Sequence, residues 1–210
     1  MTACRHGVRA ALALGAAAAV AAGCSGIVPV VAHGGGAQQP GAAPPRSDPA
    51  ATAPGPGVPK VANPIDVTRF KQNPCDALTS AQISDLLGGN ARVKPDPHGP
   101  GGPACGWFSQ AQLVVVFPAV DKLGLTSIYR AKGGAYPFFL PLDPADGYPV
   151  VAYGEADRRA SDGACDIAVG TSDRETLVVS ITQSPGRKGE TDPCESARRI
   201  AGRVQANLRH

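Results

Sequence analysis

Aromatic residues are scarce in this chain: five Phe, four Tyr and one Trp among 210 residues, 5% of the total. None lies before Phe70, so the first 69 residues hold nothing large enough to anchor a core. Charge is also sparse, with 18% charged residues and a net charge of +3. A long coiled coil, rich in Glu, Lys and Leu, is excluded by this composition, as is a multi-span membrane protein. A strongly basic surface of the kind that binds nucleic acid is not expected either. What the chain has in quantity is glycine (26) and proline (21).

The first residues read as an export signal. Arg5, His6 and Arg9 form a positive start, and Ala10 to Ala22 is an apolar run of 13 residues. Such a run is too short to span a bilayer, which takes roughly 20 residues, and it fits a signal peptide over residues 1–23. Ala21-Ala22-Gly23-Cys24 follows and resembles the bacterial lipobox, although Ala21 stands where Leu is preferred. The resemblance implies that Cys24 carries a diacylglyceryl group and becomes the mature N-terminus. Two or more acyl chains anchor stably, whereas one is marginal.

Residues 24–69 then read as the lipidated cysteine and a disordered tether. Its stretch 25–62 contains 15 Pro and Gly and only three charged residues, Arg46, Asp48 and Lys60. It cannot bury enough apolar surface to offset chain entropy. Residues 70–210 are expected to form the folded domain, of a size that supports one hydrophobic core.

Four cysteines lie in that domain: Cys75, Cys105, Cys165 and Cys194. An even number in an exported chain reads as a disulfide framework. Three pairings are open. Cys75–Cys105 with Cys165–Cys194 is favoured, each bridge closing a loop of about 30 residues. No C-x-x-C occurs, which argues against a zinc ribbon or a thioredoxin-like site.

Thr79 and Gln82 make a capping box for a helix whose apolar face is Ile83, Leu86 and Leu87, stopped at Gly88-Gly89. Residues 90–103 read as a Pro/Gly loop. Strands are expected at 104–109, 113–117, 148–153, 165–169 and 176–182. A helix carrying Leu125, Ile128 and Tyr129 separates the first two from the rest. Asp192 caps a final helix with Pro193 at its first position and a stripe of Ala197, Ile200, Ala201, Val204 and Leu208. The order α-β-β-α-β-β-β-α, with short hairpin links, predicts an α+β domain. Its single antiparallel sheet has about five strands, with three helices packed on it.

Asn73-Pro74-Cys75-Asp76, Cys105-Gly106-Trp107, Gly147-Tyr148-Pro149, Cys165-Asp166-Ile167 and Asp192-Pro193-Cys194-Glu195 occur in succession. This pattern resembles a family of uncharacterised actinobacterial envelope lipoproteins, mycobacterial ones among them, with a four-cysteine domain. The resemblance covers about residues 70–208. It implies a lipid anchor on the outer face of the cytoplasmic membrane and supplies no reaction or catalytic residue.

The chemistry-bearing residues are few. His33 lies in the tether, His98 in a Pro/Gly loop and His210 at the C-terminus, so no nucleophile–base pair assembles. No catalytic residue, metal or cofactor is expected. The alternative is an envelope hydrolase using the loop carboxylates Asp143, Asp146, Glu155 and Asp157. A purely structural surface protein is a third reading. Two surface features invite a binding role. Tyr136, Phe138, Phe139 and Tyr148 surround prolines that bar a central strand, and would present aromatics from a loop to an apolar ligand or an envelope protein. Arg198, Arg199 and Arg203 would form a basic face toward an anionic surface, unless Glu195 pairs Arg199 across one helical turn. The expectation is a non-enzymatic, membrane-tethered binding or accessory module of the cell envelope.

Overall fold

The computed structural model describes residues 52–119 and 122–210. The expected signal segment, Cys24, His33 and the expected tether up to residue 51 lie outside them.

Seven strands form one sheet: β1 (Arg92–Asp96), β2 (Ala104–Phe108), β3 (Gln112–Val116), β4 (Phe138–Ala145), β5 (Tyr148–Gly154), β6 (Ala164–Ser172) and β7 (Glu175–Thr182). Their order is β1-β2-β3-β7-β6-β5-β4, and every neighbouring pair is antiparallel. Two meanders, β1–β3 and β4–β7, meet where β3 pairs with β7. The apolar run Leu113 to Val116 therefore lies inside the sheet, where both neighbours satisfy its backbone.

The architecture is α+β, but with seven strands rather than five and five helices rather than three. The helices are α1 (Thr68–Gln72), α2 (Ser80–Leu87), α3 (Leu125–Arg130), α4 (Arg159–Asp162) and α5 (Pro193–Leu208). The five expected strands are the five internal ones. The two additional strands are the edges, β1 and β4, and both contain proline: Pro95 in β1, Pro141 and Pro144 in β4. An edge strand leaves half of its N–H groups without a partner strand, so a residue lacking N–H is tolerated there. Residues 92–96 are thus a strand, not loop. So are Phe138 and Phe139, which belong to β4 and not to a presented loop.

Helix starts follow the sequence closely. At α2, Gln82 N–H donates to Thr79 Oγ1 (3.2 Å) and Thr79 N–H donates to Gln82 Oε1 (2.8 Å). At α5, Asp192 Oδ1 accepts from Cys194 N–H (2.7 Å) and Glu195 N–H (3.2 Å). The stripe Ala197, Ile200, Ala201, Val204 and Leu208 is buried against the sheet. Gln205 is buried with it, fully shielded and with neither side-chain polar atom bonded within the protein. No helix among the described residues is long and apolar enough to cross a membrane.

Disulfides join Cys75 to Cys105 and Cys165 to Cys194. The first ties the 3-10 turn Pro74–Ala77 to β2, and the second ties the start of β6 to the first turn of α5.

Residues 52–69 are the largest departure from the expected tether. They form a strap on the domain. Gly55 N–H donates to Thr126 Oγ1 (3.0 Å), Val61 N–H to Asp173 Oδ1 (2.9 Å) and Ile65 N–H to the Thr171 carbonyl (2.9 Å). Val58 packs with the cluster of Leu125, Ile128, Val151, Ala168 and Val178 on one sheet face. Val61, Ile65 and Val67 join the main core with Phe70 on the other. The strap thus passes from face to face around the β6–β7 turn. Gly170 lets it approach, because a Cβ there would stand 3.0 Å from Val61 Cγ2 and 3.2 Å from Leu125 Cδ1. Aliphatic side chains supply the anchoring that the lack of aromatics concealed.

Asp173→Ala removes the acceptor of the Val61 amide and is expected to cost about 1–2 kcal/mol. Hydrogen exchange over residues 58–67 should accelerate. Unchanged exchange would mean that the Val61–Asp173 bond contributes nothing to holding the strap, which would then rest on its side chains and the bonds of Gly55 and Ile65.

Candidate functional site

A surface groove of about 830 Å³ lies among the described residues. It lies at the end of β7 opposite the strap, about 23 Å along the strand at ordinary strand rise. The C-terminal turn of α2 with Gly88, Gly89 and Asn90 forms one wall, and the β2–β3 turn forms a second. A third comes from the segment after β7, with Gln183, Ser184, Arg187 and Thr191, together with Ser196 and Arg199 of α5. Leu86, Leu87, Leu113, Ile181 and Ile200 give it an apolar floor. A smaller hollow of about 340 Å³ adjoins it across Ser84, Gly88 and Gly89, lined by Leu78, Ile83, Ala91, Val93 and Trp107. Val93, on the exposed strand β1, is 53% exposed.

The groove is assembled from three stretches far apart in sequence, residues 84–90, 109–113 and 181–200. Thr79 and Gln82 fix the start of α2, and the side-chain amide of Asn207 donates to the Ala77 carbonyl (2.9 Å) and Gln82 Oε1 (2.8 Å), docking α2 on α5. Gln183 Nε2 donates to the Thr191 carbonyl (2.9 Å), closing the segment between β7 and α5. The Cys165–Cys194 bridge fixes the first turn of α5 from behind.

Three charged side chains line the groove. Asp85 pairs with Arg203 (3.0 Å) and Arg187 with Glu190 (3.2 Å). Arg199 has no carboxylate within bonding distance and reaches only Ser196 Oγ (3.4 Å). Glu195 does not pair with Arg199 across one turn as expected. Both its oxygens go to Arg198, at 2.7 and 2.8 Å. The contact also holds the Glu195 carboxyl below the usual carboxylate range. Arg198 further donates to the Pro144 carbonyl (3.0 Å). The three arginines expected as one basic face are therefore divided. Arg198 and Arg203 are held by carboxylates, and Arg199 opens into the groove.

The aromatics expected to act together are divided too. Tyr148 is buried, and Phe138 packs with Leu140 and Leu142 on the main core. Tyr136 and Phe139 belong to the opposite face. There Tyr136 meets Tyr153 edge-on at 4.7 Å, and Tyr129 meets Phe139 at 4.9 Å. Burial pushes the Tyr153 hydroxyl pKa up. The alternation of side chains along β4 causes the split.

Two of the four loop carboxylates, Asp146 and Asp157, are taken by arginines. Asp157 accepts three bonds from Arg159, whose guanidinium holds that carboxyl below its ordinary range. Asp146 pairs with Arg209. A general acid working near neutral pH needs its pKa raised, the opposite direction. His98 and His210 are exposed and line neither hollow. Among the described residues no group of three or more His, Cys, Asp or Glu is placed to hold a metal ion. Sequence reading missed the groove, since no local pattern marks residues gathered from four elements. Of its charged residues the sequence marks only Arg199, as part of the basic face with Arg198 and Arg203.

Fold and site together define a disulfide-bonded α+β domain with an open, apolar-floored groove at one end of its sheet. The chain belongs to the family described as Protein of unknown function (DUF3558), which it matches over residues 19–207. No curated protein and no solved structure matches it.

Proposed function

We propose that this protein is a lipid-anchored, non-enzymatic binding module of the cell envelope, held through Cys24 on the outer face of the cytoplasmic membrane. The observation that carries the binding role is the groove. Its volume lies in the range of ligand sites, about 300–1,000 Å³, and it joins an apolar floor to a polar rim, as such sites do. The pairing of Asp146 and Asp157 with arginines and the remote histidines favour binding over catalysis. The signal segment and the Ala21 to Cys24 sequence support the anchor.

Native mass spectrometry of the protein purified from its own envelope tests the binding role. A retained small molecule is expected, and protein that emerges empty under gentle extraction counts against it. Cys24→Ser tests the anchor. The wild type should enter the detergent-rich phase on cloud-point partition and the variant the aqueous phase. Equal partition of the two would overturn lipidation at Cys24.

A further inference from the structure

We propose that the groove takes a single-chain anionic amphiphile, an alkyl chain ending in a carboxylate or phosphate, with the head at Arg199. The inference rests on the binding role above and adds the ligand class. Its ground is charge complementarity. Of the four arginines on or directly following α5, Arg198, Arg203 and Arg209 each meet a carboxylate. Arg199 forms no ion pair; it feels the field of the Glu195 carboxylate, whose two oxygens are taken by Arg198, and it stands on the groove wall.

The rest of the lining agrees. Asp85, the acidic side chain on the groove, is neutralised by Arg203, so it does not repel an anion strongly. The Ser184 hydroxyl stands on the same side as Arg199 and can donate to an anionic head, whereas the Ser196 hydroxyl donates to the Asp192 carbonyl (3.2 Å) and Thr191 Oγ1 meets Ser196 Oγ (3.4 Å). The opposite wall is the carbonyl end of α2, where the helix dipole is negative, and this directs the head to the α5 side. An alkyl chain leaving that head runs over Ile200, Ile181 and Leu113 toward Leu86 and Leu87. Beyond lies the smaller hollow with Val93 and Trp107, which extends the apolar path past Gly88 and Gly89. A guanidinium suits either head group, because it offers a planar fork of donors to carboxylate and phosphate alike.

The test uses the chain from Ser25 onward, exported so that both disulfides form and free of its own lipid. Calorimetric titration with dodecanoate, dodecyl phosphate and dodecyltrimethylammonium, all below micelle formation, compares head charge at constant chain. Binding of at least one anion, about tenfold or more tighter than the cation, is expected. The tighter of the two anions identifies the head. Octanoate should bind about tenfold or more weaker than dodecanoate, because four methylenes are lost. Arg199→Glu should weaken the anion by about tenfold or more, and Arg199→Lys by less. Arg130→Glu, the same charge change on the opposite sheet face, should leave it unaltered. Equal affinity for cation and anion, or an unaltered affinity in Arg199→Glu, overturns the assignment. If none of the amphiphiles binds while native mass spectrometry shows a retained ligand of other chemistry, this inference fails and the binding role stands. If the protein is also empty there, both fail.

Discussion

Phe117→Ala should destabilise the domain by about 3–5 kcal/mol, the usual cost of emptying a buried phenylalanine site. Phe117 follows β3 directly and is fully shielded from solvent, and its ring lies 6.2 Å from that of Phe70. Phe70 belongs to α1, the helix that receives the strap, so this pair joins the entry of the chain to the centre of the sheet. For a domain of this size each kcal/mol moves the melting temperature by about 2–4 °C, so a fall of about 6–20 °C is expected. Urea unfolding should show a lower midpoint at an unchanged slope. A loss below about 1 kcal/mol would show that α1 and the strap rest on the domain without sharing its core.

Joint replacement of Cys165 and Cys194 by alanine should cost about 3–4 kcal/mol, because a loop closed over 29 residues no longer restricts the unfolded chain. The same magnitude is expected for the Cys75–Cys105 pair, with its separation of 30 residues. The two losses should add to within about 0.5 kcal/mol, provided the bridges share no partner. Thermal unfolding of the two double variants, beside a non-reducing peptide map, checks both points. A map linking Cys75 to Cys194 would contradict the fold itself. The Cys165–Cys194 variant should also loosen the groove, since its bridge holds the turn of α5 that precedes Ser196 and Arg199.

The errors in reading strands share one cause. Arg92 to Asp96 alternates poorly and contains Pro95, and Phe138 to Ala145 contains Pro141 and Pro144. Proline argues against a strand because it cannot donate to a ladder. Whether that matters depends on which side of the strand has a neighbour, and neighbours are set by the whole sheet. The internal strands were legible because their apolar residues alternate or run continuously. The helix starts at Thr79 and Asp192 were legible because a cap is a local bond between residues two or three apart.

The site was the least legible part. Arg198 and Arg199 are adjacent in sequence and look alike there. One is taken by Glu195 and the Pro144 carbonyl, and the other faces open space. Phe138 and Phe139 likewise part to opposite sheet faces.

The scarcity of aromatics before Phe70 had placed the domain boundary near that residue. Among the described residues the strap belongs to the domain from residue 52 onward, because Val61 and Ile65 are buried and bonded to partners more than 100 residues away. By itself, the sequence determined the cysteine framework, the capped helices and the internal strands, all of which rest on composition or on bonds and periods within a few residues. The tertiary structure alone decided the edge strands, the strap, the division of the arginines and the groove. Each of these depends on which distant groups come within about 3–4 Å of one another, and short-range pattern carries no record of that.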